Sequence, residues 1–250
     1  NGYILISMHD LFSFAPNGDG TVTAEQKQLM LPAGKKPYIL SIDDMNYYEY
    51  MLEDGQVSKL VLDDNGEVAA KGKNIEGNDE IRRDNEIVPI IDDFVKAHPD
   101  SSFNGAKGLI ALTGYEGILG YRTNSIRYDN YEQERDAVIP VIRKLKDTGW
   151  EFASHSQGHR HTNAVDYDVV TEDTDRWSFE VQPLIGDTPI YIYPFGEKVA
   201  DDDPKLQYLR KNGFAVFCAV GSRPYLKKSD EGFYKMDRRA VDGVTLRRDI

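Results

Sequence analysis

One cysteine, Cys218, stands in 250 residues, so no disulfide can form within the chain. It lies in Phe214-Ala215-Val216-Phe217-Cys218-Ala219-Val220, a buried-strand pattern in which a packed thiol is expected rather than a nucleophile. Basic residues are short too: 30 Lys and Arg against 42 Asp and Glu give a net charge of −12. A chain this acidic lacks the cationic patches that hold a phosphate backbone, so nucleic acid is not an expected partner. No apolar run is long enough to cross a bilayer. Internal repeats, low-complexity tracts and interdomain linkers are missing as well. What is present, 40% hydrophobic and 29% charged residues, suits a single domain over residues 1–250. Aromatic rings are plentiful, with 15 Tyr and 10 Phe. Such rings often wall sugar-binding clefts, although most are expected in the core.

Apolar runs alternate with helical periodicity along the chain. Tyr3 to Ser7, Tyr38 to Ile42, Lys107 to Thr113, Trp150 to Ser154, Pro189 to Tyr193 and Phe214 to Val220 read as strands. Ile87, Ile90, Ile91, Phe94 and Val95 form an i, i+3, i+4, i+7, i+8 helical stripe, with Pro89 in its first turn and His98 as its C-terminal cap. Val138, Ile142 and Leu145 mark a second helix, which Pro140 is expected to kink or restart and Thr148-Gly149 to end. Further helices are expected around Trp177 to Leu184 and Leu206 to Lys211. Val57 to Ala70, turning at Asn65-Gly66, reads as a β-hairpin added to the main fold. Pro16 to Gly20 is a turn; it lacks the leading Asp and closing Glu of a calcium loop. Strands alternating with helices predict a parallel α/β sheet or barrel.

Three chemistry-bearing segments directly follow strands: Asp43-Asp44, His155-Ser156-Gln157-Gly158-His159, and Tyr193-Pro194-Phe195-Gly196. Active sites gather at that end of a parallel sheet. His155 and His159, four apart, would share one face of a helical turn. One carboxylate and two imidazoles make a common ligand set for a catalytic divalent metal, and a spare aspartate beside it is a natural base for water.

In this order the three segments resemble the polysaccharide deacetylase (NodB-homology) family, over about residues 38–220. The resemblance implies a deformed (β/α) barrel and metal-dependent removal of N-acetyl groups from the amino sugars of a cell-wall or surface polysaccharide. Carried over to this chain, Asp44, His155 and His159 would hold the metal, with zinc expected and cobalt or nickel able to replace it. Asp43 would take the proton from water. The backbone N–H of Phe195 would help hold the oxyanion, and Tyr193, Pro194 and Phe195 would border the substrate. Export is implied by the family's usual substrates, giving an extracellular or cell-surface protein.

Two departures matter. The Arg that usually opens the third motif and pairs with the base is replaced by Ile192-Tyr193, and the C-terminal Leu-x-His carrying the acid histidine is absent, with Lys235-Met236-Asp237-Arg238 lying where it might stand. Ile4 to Asp10 resembles the strand-His-Asp segment of the poly-N-acetylglucosamine deacetylase branch, which lacks that Arg and places its acid near the N-terminus. On this reading His9 is the general acid, and Asp10 either orients it or begins the next turn. Arg122 is a candidate for the missing Arg, and His161 lies close to the site or on the surface. An O-acetyl esterase or other amide hydrolase on the same metal site, and a carbohydrate-binding relative without catalysis, remain alternatives.

Overall fold

The structure is a computed structural model that describes residues 2–52, 57–126, 128–222, 225–244 and 247. The chain opens with β1 (Tyr3–Leu5), the short helix α1 (Met8–Leu11), and an antiparallel pair, β2 (Phe12–Pro16) and β3 (Val22–Gln26). Next come β4 (Lys36–Tyr38), which pairs with β1, and β5 (Ser41–Asp43), followed by the four-residue α2 (Glu49–Leu52). The expected hairpin is there and gains a third strand: β6 (Lys59–Leu62), β7 (Val68–Lys73) and β8 (Asp79–Arg82) form an antiparallel sheet of their own. The remainder alternates: α3 (Ile87–Ala97), β9 (Gly108–Leu112), α4 (Tyr131–Asp147), β10 (Trp150–Ser154), α5 (Tyr167–Glu180), α6 (Gln182–Ile185), β11 (Ile190–Ile192), α7 (Pro204–Lys211), β12 (Val216–Val220), β13 (Leu226–Lys228) and β14 (Tyr234–Arg238).

Strands β5, β9, β10, β11, β12 and β14 lie parallel in that spatial order, and β13 adds an antiparallel edge. Both faces are covered, as parallel sheets require. One face packs Ile110, Leu112, Phe152 and Phe217 against Val138, Ile142 and Leu145 of α4, Trp177 of α5 and Leu206 of α7. The other packs Leu109, Ala111, Ala153, Ile192 and Cys218 against Met8, Phe12 and Ala24 from the N-terminal segment. This second face is the concave interior. Its two ends meet through side chains: Arg238, at the end of β14, bonds Asp43 and Ser41 of β5. No backbone ladder joins β14 to β5 among the described residues, so the sheet curls like a barrel without closing as one.

Several local expectations change. Helix α4 runs unbroken through Pro140, which faces solvent, where water can satisfy the freed Asp136 carbonyl. On α3 the buried residues are Val88, Pro89, Asp92 and Val95, while Ile90 and Phe94 are half exposed. Asp92 turns the helix: it accepts from Lys107 Nζ at 2.6 Å and Trp150 Nε1 at 2.8 Å, so its charge is paired within the core. Helix α5 begins ten residues before Trp177, in a stretch too polar to show a stripe. His98 is the C-cap of α3, as expected.

His9 is not brought to the end of the sheet that carries the three motifs. Its Nδ1 pairs with Glu151, whose carboxylate also accepts the N–H of Met8 at 2.7 Å. Glu151, Ala153 and His155 share one face of β10 and its extension, so Glu151 sits about 13 Å below His155 along the strand. Helix α1 therefore plugs the opposite mouth of the curled sheet. Asp10 closes a capping box with Ser7 rather than orienting His9. Glu151 raises the His9 pKa above its ordinary 6.5. A raised folded-state value means the pair stabilises the fold fully below about pH 6.5 and loses that effect as pH climbs through the folded value. With the imidazole 62% exposed, solvent screening holds the contribution to about 1 kcal/mol or less. His9→Gln is accordingly expected to lower the melting temperature slightly near pH 5.5, by less as the pH rises, and to leave turnover within about twofold. A loss of the ~10²-fold scale typical of acid–base groups would restore His9 to the reaction.

Candidate metal centre

Asp43 ends β5 with its side chain on the concave face. Its neighbour would point the other way in a continuing strand. Asp44 instead adopts the left-handed conformation (φ 59°), so both carboxylates reach one site. His155 leaves β10 on the same concave face. The chain then turns tightly rather than forming the expected helical turn: Ser156 (φ 60°) and His159 (φ 49°) are both left-handed. Asp173 of α5 holds this turn by accepting the N–H groups of Gln157 at 2.6 Å and Gly158 at 2.8 Å. The result places the two imidazole centroids 5.0 Å apart. Of the eight described non-glycine residues with positive φ, Asp44, Ser156, His159 and Phe195 all belong to this site. Strained backbone of this kind persists where the surrounding packing demands it, commonly at functional sites.

One ligand atom each from Asp44, His155 and His159 lies within 4.8 Å of the others, so these three can share an ion. The tautomer suits ligation: His155 Nδ1 lies 2.8 Å from the Ile192 carbonyl, to which it donates, leaving Nε2 free. Burial pushes the His155 pKa below its ordinary value against the pull of Asp43 and Asp44, so the ring is held neutral, the form that binds metals. Asp43 Oδ2 stands 3.8 Å from His155 Nε2, beside the three ligands. The donor set thus fits a divalent cation, with a second carboxylate adjoining it.

Sequence reasoning missed Arg238. Its guanidinium grips Asp43 with two bonds, 2.7 and 2.8 Å, in the bidentate fork that fixes a carboxylate's orientation. It thereby supplies the pairing that the third motif lacks, from the strand where an acid histidine was sought. Arg122 does not: it bonds the carbonyls of Glu116 and Tyr47 and secures a loop. The signal for Arg238 was weak but legible, since Tyr234, Met236 and Arg238 alternate as one face of a strand.

Tyr48 was missed as well. Its hydroxyl lies 2.8 Å from both Asp44 Oδ1 and Thr113 Oγ1. Burial, with the Asp44 carboxylate beside it, keeps the phenol protonated and donating. Tyr48→Phe is expected to weaken divalent-ion affinity by about 10–100-fold, as removal of such orienting partners does. Calorimetric titration with Zn²⁺ tests this, and unchanged affinity would remove Tyr48 from the centre.

The third motif divides. Tyr193 is 1% exposed and packs on Tyr191 and Phe217, so its ring cannot border a substrate; Pro194 is buried too. Phe195, by contrast, is 55% exposed. Its ring meets His159 edge-on at 4.5 Å and stacks flat on His161 at 3.6 Å. His161 in turn pairs with Glu197 through Nδ1 at 2.8 Å. All five histidines are described, and only His155, His159 and His161 lie at this end of the sheet.

No family model and no curated protein matches the chain. Among solved structures, one described as a "putative polysaccharide deacetylase from Mycobacterium smegmatis" is similar at 18% identity and a TM-score of 0.38. The similarity covers 62% of this chain and 45% of that one, less than half its length.

Proposed function

We propose that this chain is a metal-dependent hydrolase that removes acetyl groups from a carbohydrate, with N-acetylated amino sugars of a cell-wall or surface polysaccharide as the substrate. The convergence of Asp44, His155 and His159, with Asp43 beside them, carries this reading. The ordered motifs after β5, β10 and β11 support the polysaccharide deacetylase family as its home, and an acetylated polymer as substrate implies work outside the cell. Zinc is the expected ion, and the two-imidazole, one-carboxylate set also suits cobalt and nickel.

A bound divalent cation would polarise the acyl carbonyl and make water acidic enough to ionise near neutrality. The chain's own residues do the rest. Asp43 accepts the proton of the attacking water, and Arg238 keeps its carboxylate aimed. The Phe195 N–H is assigned to the oxyanion and the exposed Phe195 ring to the substrate's edge. Departure of an amide nitrogen needs a proton, which Arg238 cannot give because a guanidinium stays charged; the proton that Asp43 takes from water is the one it returns to the nitrogen as the C–N bond breaks. The sugar oxygen of an O-acetyl ester departs more readily, as an alkoxide that takes its proton from water. The presence of Arg238 at the end of β14, and of His9 at the far mouth, therefore favours O-acetyl esters as the second reading.

The deciding experiment strips the protein with a chelator and reloads it with Zn²⁺, Co²⁺ or Ni²⁺. Acetate release is then followed from N-acetylglucosamine oligomers and from acetylated xylan. Release that requires the ion is expected. Silence on both substrates with all the ions would end the deacetylase reading.

A further inference from the structure

We propose that the cavity beside Tyr115 is a binding subsite for one neutral sugar ring of the polymer, an inference that rests on the carbohydrate reading above. The cavity holds about 360 Å³ and lies between the His155–His159 turn and α5. Val169, Glu172, Asp173 and Arg176 line it from one face of that helix, at the i, i+3, i+4, i+7 spacing. Gly158 and Arg160, on either side of His159, line it from the turn.

The cavity is coupled to the metal centre by short contacts. The Tyr115 ring stacks on Tyr48 at 4.6 Å and 12°, and the Tyr48 hydroxyl bonds Asp44. A sugar seated here would therefore belong to the same chain as the residue presented to Asp43. The volume is at the low end of the ~300–1,000 Å³ of ligand pockets, which suits one ring. A pyranose offers a flat C–H face and a fringe of hydroxyls. Tyr115 provides an aromatic surface for the first. Arg160, Arg176 and Glu172 provide polar groups for the second. Two cations and two carboxylates balance around the cavity, which favours a neutral ring over a uronate or phosphate. Gln157, 1% exposed, forms part of the wall and donates through Nε2 to Glu180 of α5 at 2.6 Å, which ties the turn to the helix and fixes the shape of the cavity.

The test measures binding of chitotetraose by calorimetry in the wild type, Tyr115→Leu and Val169→Trp, alongside Zn²⁺ binding and the kcat/KM ratio of tetramer to dimer. Val169→Trp fills the cavity from an exposed helix position, away from the Tyr48 stack. Both variants are expected to weaken tetramer binding by about tenfold or more and to lower the tetramer-to-dimer ratio, with Zn²⁺ affinity retained. A wild type that does not bind tetramer, or variants that bind it normally, would overturn the subsite. Binding of an oligogalacturonate as tight as that of chitotetraose would overturn the neutral-sugar assignment. Variants that lose tetramer binding while the wild type releases no acetate would uphold the subsite and sink the deacetylase reading instead.

Discussion

Asp43→Asn is expected to reduce acetate release by about 10²–10⁴-fold while leaving divalent-ion affinity within a few-fold of the wild type. The asparagine amide has the carboxylate's size and still offers one oxygen to the Arg238 fork, so the end of β5 keeps its place. What it loses is the ability to take a proton from water. The ion should stay because its three ligands are other residues: Asp44, turned aside by its left-handed backbone, and the two imidazoles beyond β10. Asp44→Asn makes the contrasting case, since it removes a charged ligand and should abolish ion binding and turnover together. Measuring kcat on an N-acetylglucosamine oligomer and the Zn²⁺ affinity in both variants separates a base from a ligand. Near-normal turnover in Asp43→Asn would take the base role from Asp43. Loss of the ion in that variant would make both aspartates ligands.

Which parts of this site could be read in advance follows from how local each determinant is. The buried strands β9, β11 and β12 are apolar on both faces and announce themselves, and β10 departs from this only at Glu151 and Ser154. The position of Asp43-Asp44 and His155–His159 at strand ends follows from those strands alone. The way His155 and His159 meet does not. Their spacing suggests a helix, but the turn depends on left-handed Ser156 and His159 and on Asp173 arriving from α5, which spacing cannot reveal. His9 shows a local signal overridden by a resemblance: Ser7-Met8-His9-Asp10 is a capping-box pattern, and such a pattern starts a helix. Its true partner, Glu151, sits 142 residues away. Tyr193 misled for a related reason. The motif around it is conspicuous, yet β11 ends by burying that ring and exposing the next aromatic, Phe195. Pairings between the first and last strands of a curled sheet are the least legible of all, because they depend on the accumulated twist of every strand between.

Arg238 is such a pairing, and Arg238→Met is expected to cost both stability and turnover. The guanidinium is 18% exposed and Asp43 30%, so the pair is partly screened, and its loss should destabilise by about 1–3 kcal/mol, below the range for a fully buried pair. The larger effect concerns the reaction. Two bonds from one rigid fork hold the Asp43 carboxylate in a single plane, and a misplacement of about 1 Å at a reacting group can cost about 10²-fold. That loss should fall on kcat with little change in KM, because Arg238 holds the base and reaches it from the sheet rather than from the substrate side. Arg238→Lys discriminates between the two contributions. A lysine restores the charge across the gap between β14 and β5 but not the fork. It should therefore recover most of the melting temperature and little of the turnover. If Arg238→Met melts lower yet keeps its kcat, the arginine is a strut between sheet ends and the orientation of Asp43 must come from elsewhere. If Arg238→Lys recovers turnover fully, charge alone suffices and the bidentate geometry is incidental.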